Sequence, residues 1–120
     1  MQLAILGDLH FSDYTTSDLE ACRDRVFEEW FRQIADLNPD LVIAVGDTTN
    51  WGMPTELNAL QTIVSRSGLP FLAIVGNHDC YTLSKAELSC FFLGEYSSVE
   101  KDELYCCVDR GGLRFIFLDT

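Results

Sequence analysis

Three short stretches of this chain gather side chains that bind metals or move protons. Gly7-Asp8-Leu9-His10 sets a carboxylate and an imidazole one residue apart. Gly46-Asp47 places a carboxylate after a glycine, and Gly76-Asn77-His78-Asp79 lines up an amide, an imidazole and a carboxylate. Each follows an apolar run, at residues 3–6, 41–45 and 71–75. If the chain stays extended past the first run, alternate side chains point the same way and Asp8 and His10 reach one point. Asp8, His10, Asp47 and Asn77 are a mixed oxygen and nitrogen set suited to a borderline divalent ion such as manganese, iron(II) or zinc. A carboxylate with two oxygens, such as Asp47, can bridge two ions. Two such ions would draw in a phosphoester, lower the pKa of a bound water and stabilise charge on the attacking and leaving oxygens.

Each residue also has a plainer explanation. An Asp after a Gly at a strand end is commonly a turn former or a helix cap. His10 alone could be a packed or surface imidazole, and Asn77 a turn residue that tolerates positive φ. Asp79 is expected to cap the segment that follows it. The conjunction weighs against coincidence, because independent turns have no reason to collect ligand types at one sheet edge.

The elements that must hold these residues follow from the hydrophobic pattern. Residues 2–6, 41–45 and 71–75 read as buried strands. A helix is expected over 17–37, with Ser17 and Glu20 as a capping box and Leu19, Cys22, Val26, Phe27, Trp30, Phe31 and Ile34 at helical spacing. Asn38-Pro39-Asp40 ends it. Pro54 suits the first turn of a second helix, whose stripe of Leu57, Leu60, Ile63 and Val64 runs to Gly68. A short helix is expected over 84–93, then an exposed acidic loop over 95–103. A hairpin turns at Asp109-Arg110-Gly111-Gly112. Alternating strands and helices imply an α/β fold with a parallel three-strand core, right-handed crossovers and both longer helices on one face. The opposite apolar face needs its own cover, of which a two-strand hairpin supplies part. In such open sheets, ligands bind beyond the carboxyl ends of the strands, where the three ligand-bearing stretches fall.

Composition narrows the class. With 8 basic and 19 acidic residues and a net charge of -11, the surface offers no patch for nucleic acid or anionic membrane, so bound cations would have to receive a phosphate. The five cysteines show no CxxC spacing and are expected to be reduced thiols of a cytoplasmic protein. No run approaches the roughly 20 apolar residues of a membrane helix, and the first strand follows Met1 too closely for a secretory signal. A single domain over 1–120 is expected.

Asp8-Leu9-His10, Gly46-Asp47-Thr48-Thr49-Asn50 and Gly76-Asn77-His78-Asp79 together resemble the opening motif series of the calcineurin-like metallophosphoesterases, D-x-H, G-D-x-x-D/N and G-N-H-D/E. Leu118-Asp119-Thr120 is similar to a strand end of cyclic-nucleotide phosphodiesterase-like members. The resemblance implies the N-terminal half of a metallophosphoesterase-type sandwich with a C-terminal β-hairpin. It implies two divalent ions (Mn, Fe or Zn), with Asp8 and His10 on the first, Asp47 bridging and Asn77 on the second. His78 would not be a ligand but would assist at the scissile phosphate, and Asn50 would be a supporting hydrogen-bonder.

The family pattern continues with a further His and a G-H-x-H motif, whereas the only histidines here are His10 and His78. Cys80 or Cys106 could substitute, at the cost of a bias toward softer metals; packed core thiols are the commoner fate. The simpler expectation is a domain truncated at its C-terminus that binds as few as one ion. The implied function is hydrolysis of a phosphomonoester or phosphodiester by a metal-bound hydroxide, incomplete in this chain alone. The alternative is a non-catalytic module that oligomerises or binds a partner through its uncovered sheet face.

Overall fold

The computed structural model describes residues 1–92 and 104–118. Strands β1 (Leu3–Leu6), β2 (Leu41–Val45) and β3 (Phe71–Ile74) form a parallel sheet in the order β1-β2-β3, with Ile5 beside Ile43 and Ile43 beside Leu72. Helices α1 (Ser17–Asp36) and α2 (Pro54–Ser67) make the two crossovers and pack on each other. Their residues Phe31, Ile34, Leu60, Ile63 and Val64 bury Leu6 and Val42 on one sheet face. Helix α3 (Lys85–Phe92) follows β3, and β4 (Cys106–Arg110) pairs antiparallel with β5 (Leu113–Phe117). Gly111 and Gly112 both have positive φ, as a two-residue turn with right-handed strand twist requires. The expected loop over 95–103, the end of the expected helix at Leu93 and the Asp119-Thr120 strand end lie outside the described residues.

Two local expectations shift. The side chain that caps α1 is that of Thr16, whose Oγ1 accepts from Leu19 N at 3.4 Å, so Ser17 is the first helical residue rather than the cap. The α1 stripe is also only partly inward: Leu19, Cys22 and Val26 are exposed, while Arg23 is buried. The Arg23 guanidinium lies over the Phe11 ring at 4.2 Å and donates to Ser12 O at 2.7 Å. A cation with that much to bind outcompetes three apolar side chains for the inward face, and it pins the loop after β1.

On the second sheet face, Cys106, Val108 and Phe117 of the hairpin join Leu41, Ile43 and Leu72 in one buried cluster. Cover stops short of the strand ends, leaving Ile5 64% and Val45 45% exposed. Burial pushes the Cys106 thiol pKa up, and neighbouring Cys107 adds to the effect. No helix among the described residues is long and apolar enough to cross a membrane.

Candidate functional site

Beyond the carboxyl edge of the sheet, the loops after β1, β2 and β3 are laced together. His10 N donates to Asp47 O at 2.9 Å, Phe11 N to Thr48 O at 3.1 Å, and Asn50 N to Phe11 O at 3.0 Å. These bonds extend the β1–β2 pairing into the loops through a parallel bridge between Phe11 and Thr49. To reach them the chain abandons the extended course expected at Asp8-Leu9-His10: φ is +48° at Asp8 and +44° at His10. Asp47 follows suit at +45°. Among the described residues only four non-glycines adopt this left-handed region, and three of them are candidate ligands. Each such residue costs about 1 kcal/mol, strain of the kind that collects where side-chain aim matters more than backbone comfort.

The third loop is bound in by Asp79. Its buried carboxylate accepts from Thr49 N at 2.7 Å, Thr49 Oγ1 at 2.8 Å, Gly76 N at 2.9 Å and Thr48 N at 3.2 Å. Asp79 therefore staples the loops after β2 and β3 instead of capping the segment that follows it, the role expected from sequence, because the four donors it satisfies all precede it in the chain. Contact between these loops is close enough that a Cβ on Gly76 would overlap the Asp47 backbone nitrogen and Oδ1, so only glycine fits there. Glu56 is a second buried clamp. It accepts from Trp51 N at 2.9 Å, Met53 N at 3.2 Å and Asp13 N at 3.2 Å. A Glu two positions after a helix-starting Pro is a legible capping signal that points to Glu56. Nothing in local sequence points to the staple made by Asp79.

Within this frame the ligand atoms of His10, Asp47 and His78 lie within 4.8 Å of one another. His10 Nε2 is 3.9 Å from Asp47 Oδ2, and His78 N donates to Asp47 Oδ1 at 3.0 Å. Asp8 is not among the carboxylates within that 4.8 Å grouping; with Asn77, Asp47, Gly46 and Gly76 it lines an adjoining cleft of about 350 Å³. Asp47 belongs to both groups. Neither Cys80 nor Cys106 joins the trio, and Cys106 is in the core beneath the hairpin. The side chain of Asn50 donates to Ser12 Oγ at 3.4 Å, while its carbonyl lies 2.6 Å from His78 Nδ1. A carbonyl can only accept, so Nδ1 of His78 carries hydrogen. A neutral ring then offers Nε2 as an acceptor, and Nε2 donates only when the ring is an imidazolium.

A family model described as calcineurin-like phosphoesterase matches residues 1–116. The chain is 34% identical over 88 residues to a cAMP/cGMP dual specificity phosphodiesterase of Mycobacterium tuberculosis, covering 70% of this chain and 26% of that protein. It is 32% identical over 83 residues to a "Probable cyclic nucleotide phosphodiesterase" of Psychrobacter arcticus, covering 62% of this chain and 29% of that one. The fold is similar to that of a dimetal phosphatase from Danio rerio, with a TM-score of 0.76 and 15% identity over 99% of this chain and 44% of the other. The chain thus spans less than a third of the curated relatives it matches. It belongs to the calcineurin-like phosphoesterase family.

Proposed function

We propose that this member of the calcineurin-like phosphoesterase family carries the N-terminal part of a metal-dependent phosphoesterase centre, acting on a phosphomonoester or phosphodiester. The observation that carries the reading is the position of Asp47, shared between the His10 and His78 trio and the cleft that holds Asp8 and Asn77. The donor set suits a pair of borderline divalent ions, manganese, iron or zinc. Asp8 and His10 would hold the first, Asp47 would bridge and Asn77 would hold the second. Such ions, when bound, supply positive charge for the phosphoryl oxygens and acidify a coordinated water. His78, held through Nδ1 by the Asn50 carbonyl, presents Nε2 toward the substrate and as an imidazolium donates a proton to the leaving oxygen. Asn50 thus supports the site through its backbone. A net charge of -11 fits this reading, since bound cations must offset it before a phosphoester can approach. We place the protein in the cytoplasm on the expectation that its five cysteines, which show no CxxC spacing, stay reduced.

Thermal unfolding with manganese tests the reading. At about 100 times its dissociation constant, an ion bound only by the folded chain adds about 2.7 kcal/mol, a rise in Tm of about 10 °C. Asp47→Asn should abolish that rise; an unchanged rise would rule out the bridging role. The second reading, a non-catalytic module that pairs through its sheet face, draws support from the exposure of Ile5 and Val45. It expects a defined oligomer by light scattering and no response to metal.

A further inference from the structure

Next to the carboxylate cluster, aromatic rings line up in a row that the proposed chemistry does not use. His10 and His78 meet edge to face with centroids 4.6 Å apart, His78 and Tyr81 lie 4.6 Å apart at 40°, and Tyr81 and Trp51 lie 6.4 Å apart at 38°. The row leads from the candidate metal ligands out to solvent, where Trp51 and Tyr81 are each 55% exposed. Their backbones are fixed. Trp51 N donates to the buried Glu56, Trp51 O accepts from Thr82 Oγ1 at 3.0 Å, and Tyr81 N donates to His78 O at 3.2 Å. Asn77 Nδ2 donates to the Tyr81 hydroxyl at 3.2 Å, which ties the outer rings to a candidate ligand. Two large rings held open to water on a rigid frame pay little ordering entropy when a flat partner covers them. Residues 46–53 and 76–82 contain neither Lys nor Arg, so what binds here is recognised by its ring face and not by its charge.

We infer that Trp51 and Tyr81 form a stacking ledge for a planar aromatic group, of nucleobase size, carried by the phosphoester whose phosphoryl end sits at His78. The assignment rests on the phosphoester reading above and adds what selects the substrate. A base stacked on an aromatic side chain tightens binding about tenfold or more.

The test is equilibrium binding by calorimetry of adenosine 5′-monophosphate and ribose 5-phosphate to this chain, each with and without manganese. The nucleotide should bind about tenfold more tightly than the sugar phosphate. Trp51→Ala should bring it down to the sugar phosphate's affinity and leave ribose 5-phosphate unchanged, while Trp51→Phe should keep most of the preference. Equal affinities, including failure of both to bind, overturn the ledge, as does a preference that survives both Trp51→Ala and Tyr81→Ala. A base preference that is present but indifferent to manganese upholds the ledge and counts against the metal-dependent phosphoesterase reading.

Discussion

The loops beyond the strand ends and the sheet face opposite the helices grow from the same three strands, yet they close in opposite ways. In the loops, chain segments far apart in sequence satisfy one another: Asp79 collects four donors from the loops after β2 and β3, and Glu56 collects three from the loops after β1 and β2. On the sheet face, the hairpin covers Leu41 and Ile43 but leaves Ile5 and Val45 in water. Burial is nondirectional and can be completed by any apolar partner, whereas a ligand cluster needs fixed directions. This chain therefore builds the frame of its candidate site from its own residues, while Ile5 and Val45 on its sheet stay exposed.

The comparison breaks most sharply at Asp79. Asp79→Ala strips partners from three backbone amides and a hydroxyl in a dry setting, and should cost about 4 kcal/mol in urea unfolding. That is a large share of a small domain's total. A cost under about 1 kcal/mol would mean that the loops hold together without their staple, and the contrast with the sheet face would disappear.

A middle-sized effect probes the face itself. Ile43 and Ile5 are register partners on neighbouring strands, 8% and 64% exposed. Ile43→Ala should cost about 3 kcal/mol, the ordinary loss for a buried aliphatic side chain, and Ile5→Ala about 0.5 kcal/mol. Equal costs at the two positions would show that something covers Ile5 in solution, whether a second copy or further chain.

What could be read from sequence follows the same division. Strand, helix and hairpin positions came from local periodicity and turn chemistry, which β1, α2 and the Gly111-Gly112 turn obey. That the ligand types cluster was legible because each follows an apolar run. How they cluster was not. The left-handed backbone at Asp8, His10 and Asp47 answers hydrogen bonds to another loop, and the exposed Leu19, Cys22 and Val26 yield to Arg23 because of Phe11 and Ser12. In both cases the deciding partner is distant in sequence, and a local pattern cannot register it.

The finest discrimination lies between two adjacent threonines. Thr48 and Thr49 are both fully buried, and the backbone N–H of each donates to Asp79. Their hydroxyls differ: Thr49 Oγ1 donates to Asp79 Oδ1 at 2.8 Å, while Thr48 Oγ1 is buried with no hydrogen-bond partner among the described residues. Valine keeps the shape of threonine and removes only the hydroxyl. Thr49→Val should lose a bond to a charged acceptor and cost about 2 kcal/mol, whereas Thr48→Val relieves an unsatisfied group and should stabilise by up to about 1 kcal/mol. Opposite signs in paired urea midpoints would show that the staple works through the specific donors that Asp79 reaches. Equal losses would mean that the Thr48 hydroxyl has a partner after all, an ordered water at the loop junction, and the polar accounting that sets these loops apart from the open sheet face would have to include solvent.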